Sequence, residues 1–354
     1  MPILPLHGHD ALRARLLDAA TRGALPASLL LHGPRGVGKQ RLALWLGQLL
    51  LCTAPERPCG RCEQCRYAAE LTHPDLRWFF PRPRLKDSAP SADDVLADYA
   101  EAIAERVKDG GLYAAPSGSE GIFMATVGAV LRQAALSPAL ARQKVFVIGD
   151  AERMVSQESS PEAANAFLKL LEEPPADTTI VLTSSEPGAL LPTIRSRVVA
   201  VRVAPLSDAD VRGFLTDERV AASLGTELGE AERVRIAAGA PGVLLDAAKR
   251  GTAAAAARRL LDGASGGSRA RLLRAVFAQG SAGARGDFRS LLEALTTQLH
   301  ERMRGAVERG DARGAAAAAR AMDAVEEAKL RAAGNVTPQL IAAGLARALT
   351  EVPR

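Results

Sequence analysis

Gly33-Pro34-Arg35-Gly36-Val37-Gly38-Lys39-Gln40 decides the fold. It follows the short apolar run Leu29-Leu30-Leu31 and opens the strongly apolar stretch 39–51, which carries Leu42, Trp45, Leu46, Leu49 and Leu50. Strand, glycine-rich turn, buried helix is the context a phosphate loop needs. Glycines at 33, 36 and 38 let successive backbone N–H groups point at phosphate oxygens, and the helix N-terminus adds partial positive charge. Lys39 is placed to reach the outer phosphates. The next position ordinarily supplies a hydroxyl to Mg²⁺. Gln40 stands there instead, and its amide is a poorer ligand for a hard cation. The competing reading is an ordinary glycine-rich strand–helix turn.

Two further runs read as strands covered on both faces: Val145-Phe146-Val147-Ile148 and Thr179-Ile180-Val181-Leu182. Both are short, β-rich and without alternation. A helix from Pro161 to Glu173, closed by Pro174-Pro175, lies between them, and Val198 to Val203 reads as a last strand. An amphipathic helix from Asp10 to Arg22 (Leu12, Leu16, Leu17) precedes the loop. The order argues for a doubly wound α/β domain over 1–205. Asp150 follows the strand 145–148, where a phosphate-loop protein places its second metal-binding carboxylate. The residue after it is Ala151, and Glu152 comes one position later; at 3.6 residues per turn that rotates the carboxylate by about 100°.

Cys52, Cys59, Cys62 and Cys65 are the only cysteines in the chain. Two C-x2-C steps plus one further thiol make metal-ligand spacing, and four thiolates make a closed, structural zinc site. Disulfides, a redox dithiol and an iron–sulfur cluster are the other readings of the same thiols. Arg57, Arg61 and Arg66 interleave the ligands.

Residues 81–121 differ in composition. Pro81, Pro83, Pro90 and Pro116 bracket a polar stretch containing one helix, Ser91 to Lys108, with Ser91 as cap, Asp93 and Asp94 in the first turn and Gly110-Gly111 as the stop. Val95, Tyr99, Ile103 and Val107 share a stripe. The segment reads as an insertion. Residues 206–250 are helical and polar, broken at Gly239-Ala240-Pro241-Gly242, and 251–354 read as a third, all-helical domain rich in Ala, Leu and Arg. Loops are expected near 263–267 and 280–286, with a break at 335–338.

The 354 residues hold 45 Lys+Arg against 40 Asp+Glu, a net charge of +5. Thirty-eight of those cations are arginine, which fits compositional bias as well as a nucleic-acid surface. No apolar run approaches the ~20 residues that span a bilayer. Met1-Pro2-Ile3-Leu4-Pro5 has neither a basic nor an apolar signal region, so a cytoplasmic protein is expected. Two Trp, three Tyr and eight Phe leave few aromatics to stack on bases.

Taken in order, these stretches resemble one family. Phosphate loop and four-cysteine knuckle are followed by His73-Pro74-Asp75, then by Asp150-Ala151-Glu152-Arg153-Met154. Next come Asn165-Ala166-Phe167-Leu168-Lys169, Leu171-Glu172-Glu173-Pro174-Pro175 and Thr193-Ile194-Arg195-Ser196-Arg197. The pattern is similar to the bacterial clamp-loader branch of the AAA+ ATPases, and within it to the delta-prime kind of subunit. The resemblance covers roughly 1–250. It implies an AAA+ module with a zinc knuckle at 52–65, a small helical lid at 206–250 and a helical collar at 251–354. It implies a stator that helps load the sliding clamp onto primed DNA for DNA polymerase III, with gamma/tau and delta subunits as partners and no membrane. Arg197, with Ser196, is then an arginine finger acting on a neighbour's ATP, and Val198 stands where the family has a cysteine. Gly33, Gly36, Gly38, Lys39, Gln40, Asp150 and Thr183 form the chain's own nucleotide site, with ATP or ADP held without turnover. Gln40, Ala151 and the lid's Gly239–Gly242, where motors carry an arginine, favour the stator over a gamma/tau-like motor. The third reading is an unrelated zinc-dependent nucleic-acid binder.

Overall fold

The computed structural model describes residues 2–87, 89–113, 120–154, 162–224, 228–265, 285–332 and 337–352. They fall into two compact units, 1–245 and 246–354. Pro116, Pro161, residues 266–267 and 280–284 of the expected loops and residues 335–336 of the expected break lie outside the described residues, as do the side chains of Asn165 and Ala166, and 263–265 are helical where a loop is expected.

The first unit is built on five parallel strands: β1 (Ser28–His32), β2 (Leu76–Phe79), β3 (Lys144–Ile148), β4 (Thr178–Ser184) and β5 (Val199–Arg202), in the order β2-β3-β4-β1-β5. The central register sets Leu30 against Leu182 and Val147 against Val181. β3 and β4 are buried along their whole length, as is β1 up to His32, which is why these runs lack alternation. β5, at the edge, leaves Val199 half exposed. Helices cover the sheet: α1 (Asp10–Thr21), α2 (Lys39–Leu51), α3 (Glu63–Ala69), α4 (Ala92–Lys108), α5 (Met124–Ala135), α6 (Glu162–Glu172) and the short α7 (Pro192–Arg195). α2 runs through the core, with Leu42, Leu46 and Leu49 inaccessible to solvent.

α4 starts where the sequence places it. Ser91 accepts from the Asp94 N–H, and Asp94 accepts from the Ser91 N–H, a reciprocal capping box. In its described part the segment 81–121 packs onto the core. Val95, Tyr99 and Ala102 join the core cluster that holds Phe79, Phe80 and Ile148, and the Tyr99 hydroxyl donates to the Phe80 carbonyl at 2.6 Å. A smaller cluster of Leu4, Val211, Leu215, Val220, Val234 and Leu244 unites α8 (Asp208–Leu215), α9 (Glu218–Leu224), α10 (Glu230–Ala237) and the start of α11 (Gly242–Ser265).

The second unit holds α12 (Arg285–Glu308), α13 (Ala312–Ala332) and α14 (Pro338–Thr350). Leu260, Leu261, Leu292, Leu295, Leu299, Leu345 and Leu349 form its core. Ala257, Ala318 and Ala321 are fully buried among them, so the alanine runs serve close helix packing as well as helix propensity.

Asp75 ties the sheet to the loop before β3. Its carboxylate accepts three backbone N–H groups, from Ala139 at 2.6 Å, Leu140 at 2.8 Å and Ala141 at 2.7 Å, while its own carbonyl accepts from Val145. Burial alone would raise its pKa, but those three donors outweigh burial and hold it below the ordinary carboxylate value. Asp75→Ala takes the shared acceptor from three backbone donors of the loop at 139–141, where Leu140 is half exposed, and a loss of about 1–3 kcal/mol in urea unfolding of the first unit is expected. The folded-state pKa lies below the unfolded one. The Asp75 contribution is therefore full above the unfolded pKa, near 3.9, and disappears as pH falls through the folded value. A wild-type-like unfolding midpoint in Asp75→Ala at pH 7 contradicts this role.

Candidate functional site

The residues expected to form the phosphate site gather at the carboxyl ends of β1, β3 and β4, where open α/β sheets place their ligands. β1 delivers the chain to Gly33, whose N–H donates to the Ser184 carbonyl. A Cβ on Gly33 would stand 2.2 Å from the Val203 carbonyl oxygen, so only glycine fits. Gly38 caps α2 with φ +97°, a left-handed geometry that strains other residues. Lys39 is 5% exposed and folds back over its own loop. Its Nζ donates to the Gly33 carbonyl at 3.0 Å, the Pro34 carbonyl at 2.8 Å and Ser185 Oγ at 2.9 Å. Burial lowers its pKa, against the opposing pull of Asp150 and Glu152.

Gln40 lies at the centre of a buried network. Trp78 Nε1 donates to Gln40 Oε1 at 2.8 Å, and Gln40 Nε2 donates to Asp150 Oδ2 at 3.2 Å. The Tyr113 hydroxyl donates to the same Asp150 oxygen at 2.7 Å. The Asp150 N–H donates to Thr183 Oγ1 at 3.2 Å, so this strand-end hydroxyl holds backbone. Burial raises the Asp150 pKa, with the Tyr113 hydrogen bond acting against it. Arg106 of α4 stacks its guanidinium 3.9 Å from the Phe80 ring centroid and 4.3 Å from that of Tyr113, closing the network from the side. Glu152, displaced by one position, turns its Oε1 to the Ser185 N–H. Its Oε2 is buried and unpartnered among the described residues.

The loop is also met from the other side. The Gly242 N–H donates to the Gly36 carbonyl at 2.9 Å, so the turn Gly239–Gly242 rests backbone to backbone on the loop. His9 Nε2 hydrogen-bonds the Val37 carbonyl at 2.9 Å.

Arg197 sits apart from this network, just beyond α7. Its Nε and Nη2 both donate to Glu172 Oε1, at 3.0 and 2.5 Å. Its Nη1 donates to the Thr193 carbonyl at 2.9 Å and to Ser196 Oγ at 3.2 Å. The side chain is 31% exposed.

The four cysteines converge, as their spacing implies. Their sulfurs lie within 4.8 Å of one another. Cys52 and Cys62 are 3.9 Å apart and Cys59 and Cys65 4.0 Å. Zn–S bonds of ~2.3 Å in a tetrahedron put sulfurs about 3.8 Å apart, so the donor set fits a metal of that size. Backbone N–H groups aim at the sulfurs: Cys59 to Cys52, Cys62 to Cys59 and Cys65 to Cys62. Cys62 thereby caps α3. Burial pushes the Cys62 thiol up, but N–H groups of Cys65 and Thr53 and the neighbouring thiols outweigh it and bring it to about 6. Cys65, fully buried, is raised by burial.

A family profile described as DNA polymerase III, delta subunit, matches residues 8–207, more than half of the chain. The chain belongs to that family. The DNA polymerase III subunit delta' of Pseudomonas aeruginosa is 33% identical over 216 residues, covering 60% of this chain and 52% of that one. The delta' subunit of Escherichia coli is 29% identical over 220 residues, 62% of this chain and 53% of that one. The gamma/tau subunit of Mycobacterium tuberculosis is 28% identical over 192 residues, 54% of this chain and 26% of that one. The chain spans about half the length of the delta' relatives it matches.

In this delta-family chain the structure brings Gly33, Gly36, Gly38, Lys39, Gln40, Asp150 and Thr183 to one place, the four cysteines to a second, and Ser196 with Arg197 to a third. Trp78, Arg106 and Tyr113 were absent from the expected site. Their available signal was aromatic clustering: Trp78-Phe79-Phe80 immediately precede the segment 81–121 and Tyr113 lies within it, in a chain poor in aromatics.

Proposed function

We propose that this chain is the stator of a sliding-clamp loader, a delta-prime-like subunit that works beside ATP-hydrolysing gamma/tau subunits and a delta subunit without turning over ATP itself. The observation that carries the reading is the state of Asp150. The carboxylate that would steady a metal ion already accepts from Gln40 and Tyr113. With Lys39 bonded to its own loop and Gly242 seated on Gly36, the chain's phosphate site is satisfied internally. Arg197, by contrast, stays accessible. Its planar, permanently charged fork suits the charge that develops on a phosphate bound by a neighbouring subunit. In this reading 206–250 is the lid and 251–354 the collar that joins the ring in the cytoplasm. The four cysteines hold a structural zinc ion, which folds a segment with little core of its own. Nucleotide, if taken up, is held by Gly33, Gly36, Gly38 and Lys39 without turnover.

The test is ATP turnover by the purified chain alone and after reconstitution with gamma/tau and delta subunits. The stator reading expects none from the chain alone and turnover in the assembly that depends on its presence. The intact loop from Gly33 to Lys39 favours a second reading, a gamma/tau-like motor. Turnover by the isolated chain that Lys39→Ala abolishes would establish the motor and remove the stator.

The closed site makes its own prediction. In Gln40→Ser/Tyr113→Phe, Asp150 loses both side-chain donors and the position after Lys39 regains a hydroxyl. A rise of about tenfold or more in Mg-ATP affinity is expected from hydrogen bonds of ~1.5–3 kcal/mol to a charged group. Isothermal titration calorimetry with Mg-ATP measures it in both forms. Equal affinity in the parent and the variant counts against the network as the lock.

A further inference from the structure

We infer that Glu172 is the positioning residue for Arg197, a role that rests on reading Arg197 as a group acting on a neighbouring subunit. The geometry is specific. Of the five N–H groups of the guanidinium, Glu172 Oε1 takes one from Nε and one from Nη2, and Thr193 O and Ser196 Oγ take the two on Nη1. One Nη2 hydrogen is left for an incoming acceptor. A long side chain just beyond a four-residue helix, about one-third exposed, otherwise samples many rotamers. Here it is fixed from two sides before any neighbour arrives.

The location of Glu172 argues against a purely local purpose. It is the last residue of α6, at the helix end where a carboxylate opposes the macrodipole and a cation suits it better. The pair itself is open to solvent, with 31% of the Arg197 side chain and 47% of the Glu172 side chain exposed. Pairs of that kind contribute little to stability. What Glu172 does supply is orientation. Its carboxylate grips the side-on edge of the guanidinium, and Pro174-Pro175 come soon after, restricting the chain that carries it. Orienting a charged group in advance matters most for rate, because small misplacements of a reacting or stabilising group are costly in turnover.

The test uses the reconstituted assembly with four forms of this chain: wild type, Glu172→Ala, Arg197→Ala and the double variant. Glu172→Ala is expected to lower kcat for ATP by about tenfold to a hundredfold with KM unchanged. Its unfolding midpoint stays at the wild-type value, and Glu172→Asp recovers most of the rate. In the Arg197→Ala background Glu172→Ala has no further effect, since it acts only through the arginine. Glu173→Ala, the adjacent exposed acid, keeps wild-type turnover. Turnover equal to or faster than wild type in Glu172→Ala, or a further loss on top of Arg197→Ala, overturns the positioning role. If Arg197→Ala itself turns over ATP normally, the reading of Arg197 fails first, and the two failures are told apart.

Discussion

Arg197→Ala is expected to slow ATP hydrolysis at the neighbouring site of the assembled clamp loader by about 10³–10⁵-fold, the range that loss of an arginine finger produces. The chain itself should remain folded and assembled. Arg197 contacts Glu172, Thr193 and Ser196 through polar bonds at a partly exposed surface. Arg197→Lys separates charge from geometry. Lysine keeps the positive charge but loses the fork that binds Glu172 side-on, so it should recover only a small part of the rate. Single-turnover hydrolysis, with size-exclusion chromatography as the control for assembly, measures both. Wild-type rates in Arg197→Ala would take the residue out of the reaction.

If the four cysteines hold zinc as proposed, Cys62→Ser is expected to abolish metal binding and unfold residues 52–69. Metal analysis should find one zinc per wild-type chain and none in the variant. Cys62 is chosen because it is both a proposed ligand sulfur and the cap that accepts the Cys65 N–H at the start of α3. Serine preserves a capping oxygen, so the cap alone does not explain a collapse. Structural zinc sites supply about 10–16 kcal/mol of apparent folding free energy in isolated peptides. That is ample to order a segment whose buried anchors include Cys52, Cys65 and Ala68. Hydrogen exchange over 52–69, in wild type and after chelation, reads the same transition. A metal-free wild-type chain with full protection there rules out the zinc knuckle.

The sequence made the buried centre legible because burial leaves a plain trace. β1, β3 and β4 are apolar runs without alternation, and the glycine loop marks the turn from β1 into α2. β2 escaped because it is a four-residue edge strand in which Arg77 breaks the apolar run and Phe79, directly after Trp78, breaks the alternation. The cysteine cluster was legible because its ligands are neighbours in sequence. The lock on Asp150 was not, since Gln40 and Tyr113 reach it from 110 and 37 residues away. Their meeting depends on α4 packing into the core, which no local pattern states. The Arg197–Glu172 pair, 25 residues apart, was hidden for the same reason, although both stretches were recognised separately.

Gly33 and Gly36 carry a wider lesson about motif searching. A side chain at 33 would strike the Val203 carbonyl, and one at 36 would come within 2.7 Å of the Val243 nitrogen. Both glycines are demanded by the protein's own backbone, whatever ligand does or does not arrive. A pattern scan that scores this loop is therefore counting a packing requirement. Among relatives that had long ceased to use nucleotide, the same spelling would still be enforced at these two positions by the chain's neighbours in space.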